Sequence, residues 1–577
     1  MISVSTFLFP ATSHAATLEI VTKSLGSTTT PVVAEISGVP SVANPFDQKL
    51  IRVTASITRP DGSAFSTDAF WYQEYKLQNI NGQRSTMKVG NPAWRFTFSS
   101  TLAGTYTAKV EALVAGQKVA EQTYTVATSY QTIPKVKVDG ISFVRGGKPF
   151  VPIAYNIAWA NRFEEIDKYE QWFSQASKAG VNVARVWMAS WSLGIEWTDT
   201  GLGDYTKRLD RAWLLDQVFL IAAKHSIGIN LVFINHGAFS TSTNPEWYSN
   251  PYNSSNGGPI SNAGEFATNE IAWKFWEQRV RYIVARYAAY PSLFTWEWWN
   301  EVNYTPISGE DLKAWTIKSN VILDKTDPYR TLRTSSWSSA ASLQDWSSLD
   351  YAVTHVYDAS DPIKSLTVQA DALRAAVPNK PILVGEMGSG TVSEDPFSDP
   401  KGLHLHNSQW AATFVGFGSP ASYWWWDTYV DPLNLWPITT GLTKLIKDLD
   451  VARMKPERIS GFPSSSVLTL ASDSTVIGWI RHNNFDRSAK TQQLLEAAIA
   501  SLKTKKPMKT VFPDPTSKGG NLKVPVAKAG KFSVSYFNTF TGASLGKQTV
   551  STTNQMLSIK VPKFTGDLAF RIEPVIP

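Results

Sequence analysis

The sequence predicts an α/β protein, a (β/α)8 barrel flanked by N- and C-terminal β-sandwich domains. Three observations favour this fold class. Short apolar runs alternate with amphipathic, helix-length segments over 136–455. Alternating apolar and polar residues with turn signals fill 17–135 and 456–577, a pattern typical of short antiparallel strands. The chain of 577 residues is also too long for a single hydrophobic core.

Residues 1–16 form a possible signal segment. MISVSTFLFPATSHA carries a short apolar stretch, and Ser13-His14-Ala15 resembles the small-residue site at which signal peptides are cut. No Lys or Arg precedes the apolar stretch, so the signal is incomplete. We expect a secreted, extracellular protein. No later stretch approaches ~18 uninterrupted apolar residues, so no membrane span is expected.

The first predicted domain, 17–135, is a β-sandwich. Its strands are evident in LIRVTASITRPDGSAF and WRFTFSSTLAGTYTAKVEALV. Pro60-Asp61-Gly62 predicts a turn between two of them, because proline presets φ and glycine accepts positive φ. A hairpin around Gly146-Gly147 then leads into the barrel.

Eight apolar runs in 136–455 predict the barrel strands. Helical segments separate them, and one opens with the capping box Ser308-x-x-Asp311. The first βα turn, YNIAWANRF, lacks the glycine-rich phosphate loop of the competing doubly wound sheet. We therefore favour eight β then α units. The predicted strands are 150–156, 181–187, 227–235, 294–301, 330–336, 351–357, 381–387 and 422–427.

The last predicted domain, 456–577, is a second β-sandwich. VLTLASDSTVIGWIRHNN and LSIKVPKFTGDLAFRIEP alternate like strands, and we expect the helices to stop after about Met454. The run KTKKPMK at 503–509 is the one dense basic stretch, and we interpret it as a solvated loop.

Composition excludes several kinds of chemistry. The chain has no cysteine, so it has no disulfide, thiolate metal site or cysteine nucleophile. Its net charge of +7 is spread thinly, which argues against a nucleic-acid partner. The 23 tryptophans suit ligands with apolar C–H faces, above all sugars, although most tryptophans are expected in the core.

The stretch FTWEWWNE, 294–301, places two carboxylates at the end of a predicted buried strand. Burying an unpaired carboxylate costs several kcal/mol, so both need a partner or a function. Glu301 lies at the strand end, where barrel enzymes carry catalytic groups. Glu297 lies earlier, inside the barrel, and we predict a buried ion pair with Arg185.

Other polar residues end neighbouring predicted strands. Glu386 ends the seventh strand and would face Glu301 across the mouth, which is the arrangement that glycoside hydrolysis requires. Asn300 is placed to bind a sugar 2-hydroxyl, and His355 to assist Glu301. Arg185 and Tyr357 would donate hydrogen bonds to Glu386 and keep it ionised. The remaining candidates for substrate binding are His236, Trp424 and Trp426.

The residues at the strand ends resemble those of clan A glycoside hydrolases, most closely family 5, the cellulase and β-mannanase family. The motifs that carry the resemblance are Asn300-Glu301 after the fourth strand, His355-x-Tyr357, Glu386 in VGEMG and the Trp-rich SYWWWD. The resemblance covers about 136–455, and the flanking segments resemble β-sandwiches of some bacterial glycosidases. It implies Glu301 as acid/base, Glu386 as nucleophile and retention of configuration. The usual Asn-Glu-Pro is here Asn300-Glu301-Val302, which weakens a subfamily assignment.

Several alternatives stay open. For the activity, the first choice is an endo-acting β-glucanase or β-mannanase, and the second is a glycosidase that acts on an acidic or unusual exopolysaccharide. A non-catalytic carbohydrate-binding protein on a decayed barrel is the alternative of another class. His404 and His406 are interpreted as either substrate contacts or a solvated face. We expect a polysaccharide partner, a monomer, no metal and no cofactor.

Overall fold

A computed structural model describes residues 17–338, 346–358, 361–391, 399–510 and 512–575. The possible signal segment, 1–16, lies outside the described residues. The described chain contains an N-terminal all-β unit, a central ring of parallel strands and a C-terminal unit dominated by strands.

The N-terminal unit consists of two four-stranded sheets that share one hydrophobic core. Buried and exposed positions alternate along β3, as its sequence pattern predicts. The turn at Pro60-Asp61-Gly62 connects β3 to β4, and Gly62 has a φ of +82°. The strands are β1 (Glu19–Ser24), β2 (Val32–Ser37), β3 (Ile51–Thr58), β4 (Ala64–Asp68), β5 (Phe70–Ile80), β6 (Gln83–Phe98), β7 (Gly104–Val114) and β8 (Gln117–Thr128).

The N-terminal unit packs on the side of the central ring. Trp213 Nε1 donates to Glu74 Oε1 at 2.8 Å, and Tyr282 Oη donates to the Trp71 carbonyl at 3.0 Å. A three-stranded hairpin region follows, with Gly146 and Gly147 both at positive φ in its tight turn. Its strands are β9 (Val136–Asp139), β10 (Ser142–Arg145) and β11 (Lys148–Pro149).

The central strands are parallel and are buried almost throughout, which explains why their sequences are continuous apolar runs. The fifth predicted strand forms two short segments, which pair with the fourth and the sixth. The strands are β12 (Ala154–Asn156), β13 (Val183–Trp187), β14 (Gly228–Asn235), β15 (Leu293–Asn300), β16 (Leu332–Thr334), β17 (Ser336–Trp337), β18 (Ala352–Tyr357) and β19 (Ile382–Gly388).

A single residue closes the ring where the eighth strand is predicted. Tyr423 makes parallel bridges to Tyr155 on one side and to Met387 on the other. The predicted strand over 422–427 is therefore too long, because a helical turn begins at Trp426 and ends at Val430.

Helices connect most of the strands. Ser308 caps α4 by accepting from the Asp311 amide at 3.1 Å, as predicted. The expected helix after the fifth strand is not found among the described residues between Trp337 and Ala352. The helices are α1 (Glu165–Lys178), α2 (Leu209–Lys224), α3 (Glu270–Tyr287), α4 (Gly309–Thr326), α5 (Pro362–Ala376), α6 (Leu403–Ala412) and α7 (Thr440–Ile446).

The C-terminal unit has a six-stranded antiparallel sheet and two shorter sheets around a separate core. The strands are β20 (Lys455–Ile459), β21 (Ser465–Ala471), β22 (Val476–His482), β23 (Thr516–Ser517), β24 (Gly520–Pro525), β25 (Gly530–Phe537), β26 (Ser544–Thr552), β27 (Met556–Val561), β28 (Phe564–Thr565) and β29 (Asp567–Pro574).

The prediction that helices stop after about Met454 is wrong. Helix α8 (Arg487–Thr504) is inserted between β22 and β23. Asp486 Oδ1 accepts from the Ala489 amide at 2.8 Å, and the helix is rich in Ala, Leu, Gln and Lys, which are good helix formers. None of its residues is fully buried. No helix in the described ranges is long and apolar enough to cross a membrane.

Candidate active site

Most of the predicted site residues meet at the carboxyl ends of the parallel strands. The connections from strands to helices begin there, so side chains far apart in sequence converge. The residues that converge are Arg185 on β13, His236 after β14, Asn300 and Glu301 at the end of β15, His355 and Tyr357 on β18, and Glu386 on β19.

Arg185 is the central cation of the site and is buried. Its Nη1 donates to Glu386 Oε1 at 2.6 Å, and its Nη2 donates to Asn300 Oδ1 at 2.7 Å. It also makes a bidentate contact with Glu297, through Nε at 2.8 Å and Nη2 at 2.7 Å. Because the guanidinium is a rigid planar fork, this one side chain fixes the positions of Glu386, Asn300 and Glu297 relative to one another.

Glu297 forms the predicted ion pair with Arg185 and is fully buried. A further hydrogen bond comes from Asn230 Nδ2 at 2.8 Å. Burial opposes ionisation of Glu297, but the charge and hydrogen bonds of Arg185 outweigh it and hold the pKa of Glu297 below its ordinary value. This carboxylate therefore serves to hold Arg185.

Glu386 receives two strong donors. Besides Arg185, the Tyr357 hydroxyl donates to its Oε2 at 2.5 Å. Burial, together with the neighbouring Glu301, raises the pKa of Glu386, while the charge of Arg185 and the Tyr357 hydrogen bond oppose that rise. Donors of this kind stabilise the ionised carboxylate and orient it, as a nucleophile requires.

Glu301 lies in a different environment. Burial raises its pKa, and no Arg or Lys contacts it directly among the described residues. Its backbone has a φ of +47°, and its amide donates to Ser336 Oγ at 3.2 Å. A non-glycine residue in the left-handed region carries strain, which the fixed surroundings must hold in place. This carboxyl is suited to keep its proton until a leaving group takes it.

His355 lies between the two carboxyl groups. Its Nδ1 is 2.8 Å from Glu301 Oε1 and 3.4 Å from Glu386 Oε2, so this nitrogen carries the ring N–H and donates a hydrogen bond to Glu301. Burial lowers the pKa of His355 to about 4, even though Glu386 favours its charged form. The imidazole is therefore neutral at physiological pH.

Asn300 has a fixed orientation. Arginine can only donate, so the contact with Arg185 identifies Oδ1, and Nδ2 donates to His236 Nδ1 at 3.0 Å. One N–H of the amide stays available to a ligand. Burial lowers the pKa of His236, opposed by Glu301, so this ring is also neutral and accepts the Asn300 hydrogen bond.

The two carboxyl groups lie close together. One oxygen of Glu301 and one of Glu386 are within 4.8 Å of each other. Retaining glycosidases separate their carboxyl groups by about 5–5.5 Å, whereas inverting enzymes need about 6.5–9.5 Å to admit a water. The narrower gap fits attack by a carboxylate.

The choice of tryptophans needs one correction. Trp424 is half-buried and packs on Trp187 and Trp159, with ring centroids 5.1 and 5.7 Å apart. Trp426 is 0% exposed, so it cannot stack on a sugar as predicted. Trp425 is half-buried instead, and its Nε1 donates to the Gly390 carbonyl at 3.2 Å. The strand ends at Tyr423, so side chains after it no longer alternate between the two faces of a strand, and the prediction based on that alternation fails.

His404 and His406 are neither substrate contacts nor a solvated face. His404 Nδ1 is 3.0 Å from Tyr423 Oη, and His406 Nε2 is 2.7 Å from Asp567 Oδ2. Both rings are buried. His406 therefore ties α6 to the C-terminal unit.

Sequence reasoning missed a carboxylate at the rim of the site. Glu246 accepts long hydrogen bonds of 3.4 Å from Ser190 Oγ and Asn235 Nδ2, and burial raises its pKa. The exposed Trp191 next to Ser190 packs on Trp159. The long polar segment after β14 was the available signal, but only the folded chain shows which of its residues faces the mouth.

Glu301, His355 and Glu386 also offer three atoms close enough together to hold a metal ion, the one such group found among the described residues. These atoms already satisfy one another, since His355 donates to Glu301. The absence of a metal or cofactor requirement stays a prediction.

No protein-family model matches the chain. In sequence it is similar to mannan endo-1,4-beta-mannosidase F of Aspergillus clavatus, with 24% identity over 208 residues, 34% of this chain and 46% of that protein. An Arabidopsis thaliana protein assigned as mannan endo-1,4-beta-mannosidase 4 is 24% identical over 213 residues, 34% of this chain and 51% of that protein. The chain spans about half the length of the curated relatives it matches.

A crystal structure from Bacteroides vulgatus, of a protein assigned as a glycoside hydrolase, matches 93% of this chain and 97% of its own, with a TM-score of 0.59 and 14% identity. At this identity the match concerns the fold alone. The chain therefore shares its fold with a protein assigned as a glycoside hydrolase, and about a third of it is similar in sequence to mannan endo-β-mannosidases.

Proposed function

We propose that the chain is a retaining glycoside hydrolase that cleaves β-glycosidic bonds within a polysaccharide. One observation carries the proposal. Glu301 and Glu386 have oxygens within 4.8 Å of each other and lie in two unlike environments, one with arginine and tyrosine donors and one without. The decayed-barrel alternative is disfavoured, because a binding protein has no need for this arrangement of partners.

In the first step, Glu386 attacks the anomeric carbon as the glycosidic bond breaks, and Glu301 gives its proton to the departing oxygen. A covalent glycosyl ester of Glu386 results. Asn300 donates its free N–H to the sugar 2-hydroxyl, and neutral His355 holds Glu301 in place. In the second step, Glu301 removes a proton from water, which attacks the same carbon and releases Glu386. Each step inverts the configuration at the anomeric carbon, so the product retains the configuration of the substrate.

The pH profile provides a test of these roles. Activity needs ionised Glu386 and protonated Glu301, and burial raises both pKa values, so we expect a bell-shaped kcat/KM profile above the ordinary glutamate value of 4.5. In Tyr357→Phe, Glu386 loses a donor that favours its charged form. Its pKa rises, and the acidic limb moves to higher pH. A basic limb that moves instead, with the acidic limb fixed, would reverse the two roles.

Mannan is the first choice of substrate within the predicted glucan or mannan class. The curated relatives carry the name mannan endo-1,4-beta-mannosidase, and half-buried tryptophans at the mouth offer faces for pyranose rings. The positive net charge of +7 favours an acidic exopolysaccharide as the second choice.

Product analysis on mannan, cellulose, mixed-linkage glucan and uronic-acid-bearing polysaccharides, at low and high salt, tests the proposal. Oligosaccharides from a neutral polymer, released at a rate indifferent to salt, would support the first choice. Salt-sensitive cleavage of the anionic polymers alone would support the second. If the folded protein cleaves none of them, the proposed function fails.

The tryptophans at the mouth should differ in what they contribute. We expect Trp424→Ala to lower kcat/KM on polysaccharide about 30-fold, the equivalent of about 2 kcal/mol of lost stacking area. Its melting temperature should fall less than that of Trp426→Ala, because the Trp424 ring is only partly buried. Trp426→Ala should instead lower stability by about 3–5 kcal/mol, as for other buried tryptophans. If Trp424→Ala and Trp426→Ala lost the same activity and had the same stability, the distinction between a stacking and a structural tryptophan would be wrong.

We further propose three domains with boundaries at 17–135, 136–455 and 456–577, a (β/α)8 catalytic barrel between two β-sandwiches. The separate hydrophobic cores of the flanking units support the division. We also propose that the protein is secreted and acts as a monomer.

A further inference from the structure

Helix α8 exposes large aliphatic side chains to solvent. Leu495, Ile499 and Leu502 are 54%, 43% and 82% exposed, and their spacing of four and then three residues places them on one face. The opposite face carries Lys490, which is 3.0 Å from Asp514. The inner face thus holds the helix to the domain, and the aliphatic stripe has no partner in the described chain.

A cluster of basic residues lies at the end of this stripe. Residues 487–509 contain six basic side chains and one acidic side chain, which gives +5 of the net charge of +7. Lys503, Lys505 and Lys506 are exposed and form no ion pair within the described ranges. The stretch interpreted as a solvated loop therefore begins in the last turn of an exposed helix and carries a concentrated positive charge past the helix end at Thr504.

From this combination we propose that α8 binds the surface of an anionic lipid membrane. Aliphatic side chains would enter the boundary between headgroups and acyl chains, while the lysines would contact acidic headgroups. The helix would lie in the plane of the surface. This is distinct from a membrane span and independent of the proposed hydrolysis.

Two other occupants fit less well. A second copy of the chain would cover the stripe, but the lysines of each copy would gain little acidic surface, since 487–509 carries a single acidic residue. An anionic polysaccharide would pair with the lysines, but it would leave the stripe uncovered, since sugars stack on aromatic rings and this stripe has none. Of the three occupants, only an anionic lipid surface would both cover the aliphatic stripe and pair with the lysines.

The position of α8 has a consequence for the enzyme. The carbonyl of Phe485, just before the helix, accepts from Asn407 Nδ2 of α6 at 2.7 Å. Lys401 and Asp514 contact each other across the same junction. A protein held by α8 would therefore be attached to the membrane through the part of the C-terminal unit that contacts α6.

Sedimentation of the whole protein with lipid vesicles tests the proposal. We expect binding to vesicles of phosphatidylglycerol and phosphatidylcholine in equal parts, and little binding to phosphatidylcholine alone. Replacing Leu495, Ile499 and Leu502 together with glutamine should lower the partition coefficient about tenfold or more. Replacing Lys503, Lys505 and Lys506 together with glutamine should do the same and reduce the effect of salt.

Matched controls come from the C-terminal sheets. Leu545→Gln removes another exposed aliphatic side chain, and the joint replacement of Lys528, Lys531 and Lys547 by glutamine removes three exposed lysines. Both should bind vesicles as the unchanged protein does, and melting temperatures should stay level throughout. Equal binding to both vesicle types would overturn the proposal. So would loss of binding in the lysine variant alone, which would indicate a polyanion.

Discussion

Replacing Glu386 or Glu301 with glutamine is expected to lower turnover by several orders of magnitude. Loss of Glu386 removes the covalent route, and loss of Glu301 removes proton transfer, which alone contributes roughly 10²–10⁴-fold. Rates on an aryl β-glycoside and on the preferred polysaccharide measure the effect. Glu310→Gln, at an exposed carboxylate that begins α4, is the control and should retain full activity.

Reaction with azide distinguishes the nucleophile from the acid/base residue. In Glu386→Gly, azide can enter the vacated space and attack the anomeric carbon from the side opposite the leaving group, so an α-glycosyl azide should form. In Glu301→Gly, the glycosyl ester of Glu386 still forms with an activated substrate, and azide then attacks it to give the β-azide. The reverse pattern of products would exchange the acid and the nucleophile, and near-normal turnover in either variant would refute the pair.

Replacing Glu297 with glutamine should destabilise the protein by about 3–5 kcal/mol, because Arg185 then loses its bidentate partner while it stays buried. Denaturant and thermal unfolding measure this loss. Glu165→Gln is the control. Glu165 is equally buried, but its one ion-pair partner among the described residues, Arg162, is 3.4 Å away. Burial raises the pKa of Glu165, so the charge of Glu165 contributes little to the free energy of unfolding.

The loss of stability should depend on pH. The pKa of Glu297 in the folded protein is below its unfolded value of about 4.5, so its contribution is full above that value and disappears as pH falls through the folded pKa. The difference between the unchanged protein and the variant should therefore narrow in acid. A variant that keeps its melting temperature and loses only activity would place Glu297 in the catalytic shell.

Much of this site could be predicted from the sequence, because each strand end is a local pattern. An apolar run that stops at a polar residue identifies Glu301 and Glu386 without any knowledge of their contacts, and Arg185 is a charge within the second apolar run. Parallel connections then bring these ends to one edge. The buried partnership of Glu297 also followed, since a carboxylate inside a barrel requires a cation.

The sequence by itself determined the order of most central strands and helices and the residues that end the strands, since both depend on neighbours along the chain. Only the tertiary structure decided that Trp426 is covered while Trp424 and Trp425 are half-exposed, because the eighth strand ends at Tyr423 and the alternation of sides stops there. It also decided that His406 is covered by the C-terminal unit. Exposure depends on what another segment covers, and that is not a local property of the sequence.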